Sequence, residues 1–134
     1  MVDANVLIAA LVDSDSNHVP CASYVESIGT PILVSVLALT EVAHFVEKHL
    51  GADAELDLIR SIRDGEILPV YDGTIWDDLF SLAERYVDGK LGMVDASLFV
   101  CAELLSTDRV ATLDMLHYSV VTPRTPAFSV ERPA

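Results

Sequence analysis

Apolar residues in this chain fall into two kinds of run: short unbroken blocks such as Ile32-Leu33-Val34, and longer stretches in which they recur every three or four positions. Alternation of the two is the pattern of a parallel sheet with crossover helices on both faces. The fold class it predicts is α/β, a three-layer sandwich around a central parallel sheet of about five strands. Strands are expected at Met1–Asp3, Thr30–Val34, Glu66–Tyr71, Arg109–Thr112 and Ser119–Thr122. A short helix is expected at Asn5–Val12 and a second at His18–Ile28, stopped by Gly29. Leu37–Leu50 reads as a strong helix stopped by Gly51, and Ala52–Arg63 as another with Leu56, Ile59 and Ile62 on one inward stripe. An amphipathic helix at Thr74–Val87 follows the Asp72-Gly73 turn, and Met93–Leu105 is apolar almost all round, so it should lie buried.

The sequence carries no repeat and no linker, and 134 residues suit a single domain spanning 1–134. Residues 123–134, punctuated by Pro123, Pro126 and Pro133, are expected to run over the surface as a tail. No apolar stretch approaches the roughly 20 residues of a membrane span, and the N-terminus lacks a basic segment followed by an apolar run. A cytoplasmic protein is expected. Cys21 and Cys101 lie far apart without metal-type spacing and read as reduced core residues.

Charge complicates the picture. The formal net charge is −13, against the clustered Lys and Arg with which nucleic-acid binders neutralise phosphate. Most of the acids, Asp13, Asp53, Glu55, Asp57, Asp77 and Asp78 among them, fit a solvated surface. Four do not, because Asp3, Glu41, Asp95 and Asp114 sit directly beside apolar strand or helix segments. Each alone has an ordinary explanation: a helix N-cap for Asp3 and Asp95, a solvated or dipole-pairing helical Glu for Glu41, and a turn Asp for Asp114. Without these four the charge would still be −9.

Together they point elsewhere. Ligands of open parallel sheets gather outside the carboxyl ends of the strands. Asp3 and Asp114 follow strands, while Glu41 and Asp95 lie near the starts of helices facing that rim, so all four can converge. Two carboxylates about 4 Å apart repel by roughly 4 kcal/mol at an effective dielectric near 20, which calls for a proton or a cation. An oxygen-only donor set favours a hard ion, Mg²⁺ or Mn²⁺.

Four blocks, Met1-Val2-Asp3-Ala4-Asn5-Val6-Leu7-Ile8, Ser35 to Val42, Gly92-Met93-Val94-Asp95-Ala96-Ser97 and Ala111-Thr112-Leu113-Asp114, resemble the PIN-domain nucleases, and most of all the VapC-type toxins. The resemblance covers nearly the whole chain, with the blocks in order. It implies a Mg²⁺- or Mn²⁺-dependent endoribonuclease in which Asp3, Glu41, Asp95 and Asp114 bind one or two ions. It further implies that Asn5 fixes the first carboxylate, that Thr112 supplies a hydroxyl to the water or phosphate, and that a homodimer is held in check by a small antitoxin. The chain departs from the family at Leu116, where many members carry a further acid, so the second ion is less secured than the first.

Candidates for steering RNA phosphates are Arg85, Lys90 and Arg124, which also fit ordinary surface cations. His44 and His49, five apart on a helix, share no face and form no zinc pair. His117 lies near Asp114 but reads as structural, and Trp76 and Tyr86 as packing residues. An aspartate-nucleophile phosphotransferase would need Asp where Asn5 stands. The alternative function is a catalytically inactive module whose acidic rim holds a basic protein.

Overall fold

The computed structural model describes residues 1–89, 91–115 and 129–134. Its sheet grows outward from the first three residues. The Val2 N–H donates to the Leu33 carbonyl at 2.8 Å; on the other side the Ala111 N–H donates to Met1 O and the Asp3 N–H to Ala111 O, both at 2.9 Å. Strand β1 (Ile32–Ser35) pairs parallel with β2 (Ile67–Val70), Ser35 opposite Val70. Strand β3 (Arg109–Ala111) pairs parallel with β4 (Ser129–Glu131). The order is therefore β2, β1, residues 1–3, β3, β4. The expected first strand occupies the central place but is short enough to register only as a parallel bridge between Val2 and Ala111.

Two expectations change at the C-terminal end. The strand expected at Ser119–Thr122 lies outside the described residues. The supposed surface tail ends instead in β4, because Ser129–Glu131 offers an alternating strand to the open edge of β3 and leaves the prolines outside it. Pro69, which has no N–H to give, sits in β2 at the other end of the order, where an edge tolerates it.

Alternate residues along each strand face opposite cores, as the pleat requires. Val2, Ile32, Val34 and Ala111 join α1 (Ala4–Leu11), α2 (His18–Ile28), α3 (Val36–Leu50) and α4 (Ala52–Arg63) on one face. Met1, Leu33 and Val110 join α5 (Ile75–Arg85) and α6 (Met93–Leu104) on the other. This is the three-layer sandwich that the alternation of runs predicted. Helix α6 buries Ala96 through Ala102 without a break, matching its apolar circumference. Cys21 and Cys101 are free, buried thiols, and burial raises both above the usual thiol range.

The stripe assigned to α4 needs correction. Leu56 and Ile59 are 57% and 52% exposed, while Ala54, Leu58 and Ile62 meet the core. The core line runs i, i+4, i+8 rather than i, i+3, i+6, and periodicity alone could not choose between them. Gly51 ends α3 and begins α4 in one step, at φ +90°, a left-handed conformation that a side chain would strain.

Candidate active site

Asp3 leaves the central strand position and enters α1 as its N-cap. Its Oδ1 accepts from the Ala4 N–H at 2.7 Å, and its Oδ2 accepts from the Thr112 hydroxyl at 2.7 Å. The N-cap explanation is thus correct, but it uses one oxygen and leaves the other to a second role. Asp3 is buried, so both bonds stabilise a charge drawn out of water.

Thr112, fully buried just beyond β3, saturates its hydroxyl. It gives its one proton to Asp3 and accepts from the Asp114 N–H at 3.1 Å and from Asn5 Nδ2 at 3.4 Å. Asn5 also accepts the Leu113 N–H on its Oδ1 at 3.1 Å. Asp3, Asn5, Thr112 and the backbone of Asp114 are therefore one hydrogen-bonded unit joining the start of α1 to the loop after β3. Asp114 itself is exposed.

Glu41 lies on α3 in the second turn, at the surface. Its carboxyl is held above the usual carboxylate range, first by desolvation and then by the negative charges of Asp3 and Asp95. Three carboxylates from three elements thus share one field. Asp95 is the third residue of α6, whose N-cap is Gly92. The cap explanation for Asp95 fails, because the helix begins two residues before it. Among the described residues no three of His, Cys, Asp and Glu stand close enough to enclose one ion.

Three residues that sequence reasoning did not single out support the arrangement. Ser97 Oγ donates to the Val94 carbonyl at 2.6 Å and so accepts from Ser35 Oγ, 2.7 Å away, tying the N-cap of α3 to the first turns of α6. Both serines are buried. Their signal was present in the blocks that begin with Ser35 and end with Ser97. Arg132, in the supposed tail, donates to the Leu113 carbonyl and, at 3.1 Å, to Asn17 Oδ1, bracing the loop that carries Asp114. No local pattern marks it.

The expected phosphate-steering residues fare unequally. Lys90 and Arg124 lie outside the described residues, as do Leu116 and His117. Arg85 closes α5 with its guanidinium 5.3 Å from the centre of the Tyr86 ring. Tyr86 packs against the second core as expected, whereas Trp76 is exposed rather than packed.

Beyond this geometry, the family model described as the PIN domain matches residues 1–120 of the chain. The chain belongs to the PIN-domain family. Within that family it is similar to Ribonuclease VapC26 of Mycobacterium tuberculosis, 26% identical over 125 residues that make up 92% of each chain. Its fold is that of Mycobacterium tuberculosis VapC20, a sarcin-ricin loop cleaving toxin, with a TM-score of 0.73 over 92% of this chain and 96% of that one, at 15% identity. No helix among the described residues is long and apolar enough to cross a membrane.

Proposed function

We propose that this protein is an endoribonuclease dependent on Mg²⁺ or Mn²⁺, and that it is the toxin of a toxin–antitoxin pair, acting in the cytoplasm as a homodimer restrained by a small antitoxin. The observation that carries the enzymatic reading is that Asp3 and Asp95, from two other elements, bear on the carboxyl of Glu41, which desolvation and these two charges hold above the usual carboxylate range. A fold does not hold like charges in one field without a counter-charge, and an all-oxygen set fits a hard divalent cation. Asp3, Glu41, Asp95 and Asp114 would hold it only after their side chains close on it, since among the described residues no three stand close enough to enclose an ion as they lie. A bound ion of this kind lowers the pKa of water and neutralises charge developing on a phosphoryl group.

The chain's own residues supply orientation. Thr112 and the Ala4 N–H fix both oxygens of Asp3, so that carboxylate is preorganised and loses little entropy on binding. Asn5 and Thr112 hold the backbone on either side of Leu113, which sets the height of Asp114 against Asp3. Glu41 projects from an exposed helical position and can adjust to the ligand. The VapC26 relative is named a ribonuclease, which agrees with RNA as the substrate class.

The experiment is cleavage of a labelled RNA by purified protein, with Mg²⁺, with Mn²⁺ and with chelator, comparing the parent with Asp95→Asn. Asn keeps the shape and the helix, since Gly92 is the cap, and removes one charge and one oxygen ligand. Cleavage should require the ion and fall by at least about a hundredfold in the variant. Equal cleavage by parent and variant, or full activity in chelator, would sink the reading.

A further inference from the structure

One face of α5 takes no part in the candidate active site. Its inner side is buried through Ile75 and Leu79, so the helix is firmly seated. Its outer side presents Trp76, 44% exposed, and one turn later Phe80, 65% exposed. Asp77 and Glu84 are exposed too, and helical spacing puts them on the same outward arc as the two rings. Tyr71, 51% exposed, extends the surface, its hydroxyl accepting the Trp76 indole N–H at 3.1 Å.

The charge beside this aromatic surface selects its occupant. From Tyr71 to Glu84 the chain carries four carboxylates, Asp72, Asp77, Asp78 and Glu84, all exposed, and no Lys, Arg or His. A nucleic acid would meet few cations here: Arg63 is paired with Asp64, and Arg85, at the end of α5, lies over the Tyr86 ring and, by helical spacing, about half a turn round the helix from Trp76. A second copy of this chain, docked face to face here, would set the same acidic arc of Asp77 and Glu84 against itself. A protein segment bearing Arg among apolar residues meets every feature. Its guanidinium groups find ring faces and carboxylates, and its apolar side chains cover Trp76 and Phe80.

We propose that the Trp76–Phe80 face of α5, flanked by Asp77 and Glu84, is a docking surface for a cationic, apolar segment of another protein. This stands on the exposed face alone and holds whether or not the carboxylates cut RNA. Trp76 is the chain's single tryptophan, so its fluorescence reports on this face. The probe is a synthetic peptide of alternating Arg and Leu, with an equally charged Arg-Gly peptide as control. Expected are a saturable blue shift with the Arg-Leu peptide, weakening as salt rises, and about tenfold weaker binding by Phe80→Ser and by Asp77→Asn/Glu84→Gln. Unchanged melting temperatures would show that these surface variants fold, and Asp95→Asn should bind like the parent. The proposal is overturned by equal binding of both peptides, by parent-like affinity in Phe80→Ser, or by no shift at all. It is equally overturned if a single-stranded oligonucleotide shifts the emission instead, or if protein concentration alone does so.

Discussion

The hydroxyl of Thr112 donates to Oδ2 of Asp3 at 2.7 Å across 109 positions of sequence. The same oxygen accepts from Asn5 and from the backbone of Asp114, so this one buried atom joins the two ends of the candidate site. Thr112→Val keeps the shape and removes all three bonds. It should cost about 2–3 kcal/mol in urea unfolding, because Asp3 loses a partner in a buried setting and the Asp114 N–H loses one in a partly buried one. Thr112→Ser should recover most of that loss.

Glu41 makes stability depend on pH in a defined direction. Its folded carboxyl lies above the ordinary value of 4.5, so between that value and the folded one the native state binds more protons than the unfolded state. Stability therefore falls as pH rises through that window. In metal-free buffer Glu41→Gln should melt above the parent at pH 7, and the difference should close as the pH is taken below about 4.5. A variant less stable than the parent at pH 7 would contradict the shared field of Glu41, Asp3 and Asp95.

The Ser35–Ser97 pair should show coupling. Ser97→Ala leaves the Ser35 hydroxyl without its buried acceptor and should cost about 2 kcal/mol, more than Ser35→Ala at about 1 kcal/mol. The double variant should cost less than the sum, since each single change removes the same bond. Simple additivity would show that the two hydroxyls act independently.

Arg132 is exposed and should contribute little to global stability, within about 1 kcal/mol. Its bond to the Leu113 carbonyl positions the loop of Asp114. Arg132→Ala should therefore lower kcat for RNA cleavage about tenfold, with melting nearly unchanged and partial rescue by Arg132→Lys. A parent-like kcat would make Arg132 a surface residue only.

What could be read from the sequence was what local patterns encode. The bounds of α2 and α4 and the buried belt of α6 follow from periodicity and stop signals, and the first residues of α1 from Asp3 as a cap. What escaped depends on partners distant in sequence. The inward line of α4 is chosen by what Leu58 packs against. The strand at Ser129–Glu131 exists because β3 offers it an edge, and Arg132 matters only because Leu113 lies beside it. For the site, residue types and rim placement nominated Asp3, Glu41 and Asp95, whereas the serine pair behind them could be seen only once α3 and α6 were side by side.

The central place in the sheet is held by residues 1–3, between β1 and β3. Residues 1–3 therefore wait for Ala111 before their backbone is satisfied, and Asp3 waits for Thr112, 109 positions away. Contacts of such separation carry the largest loop-closure cost and form late. A partly folded chain with its helices in place would still lack the preorganised carboxylate, so whatever chemistry the site performs is withheld until the two ends of the domain have met.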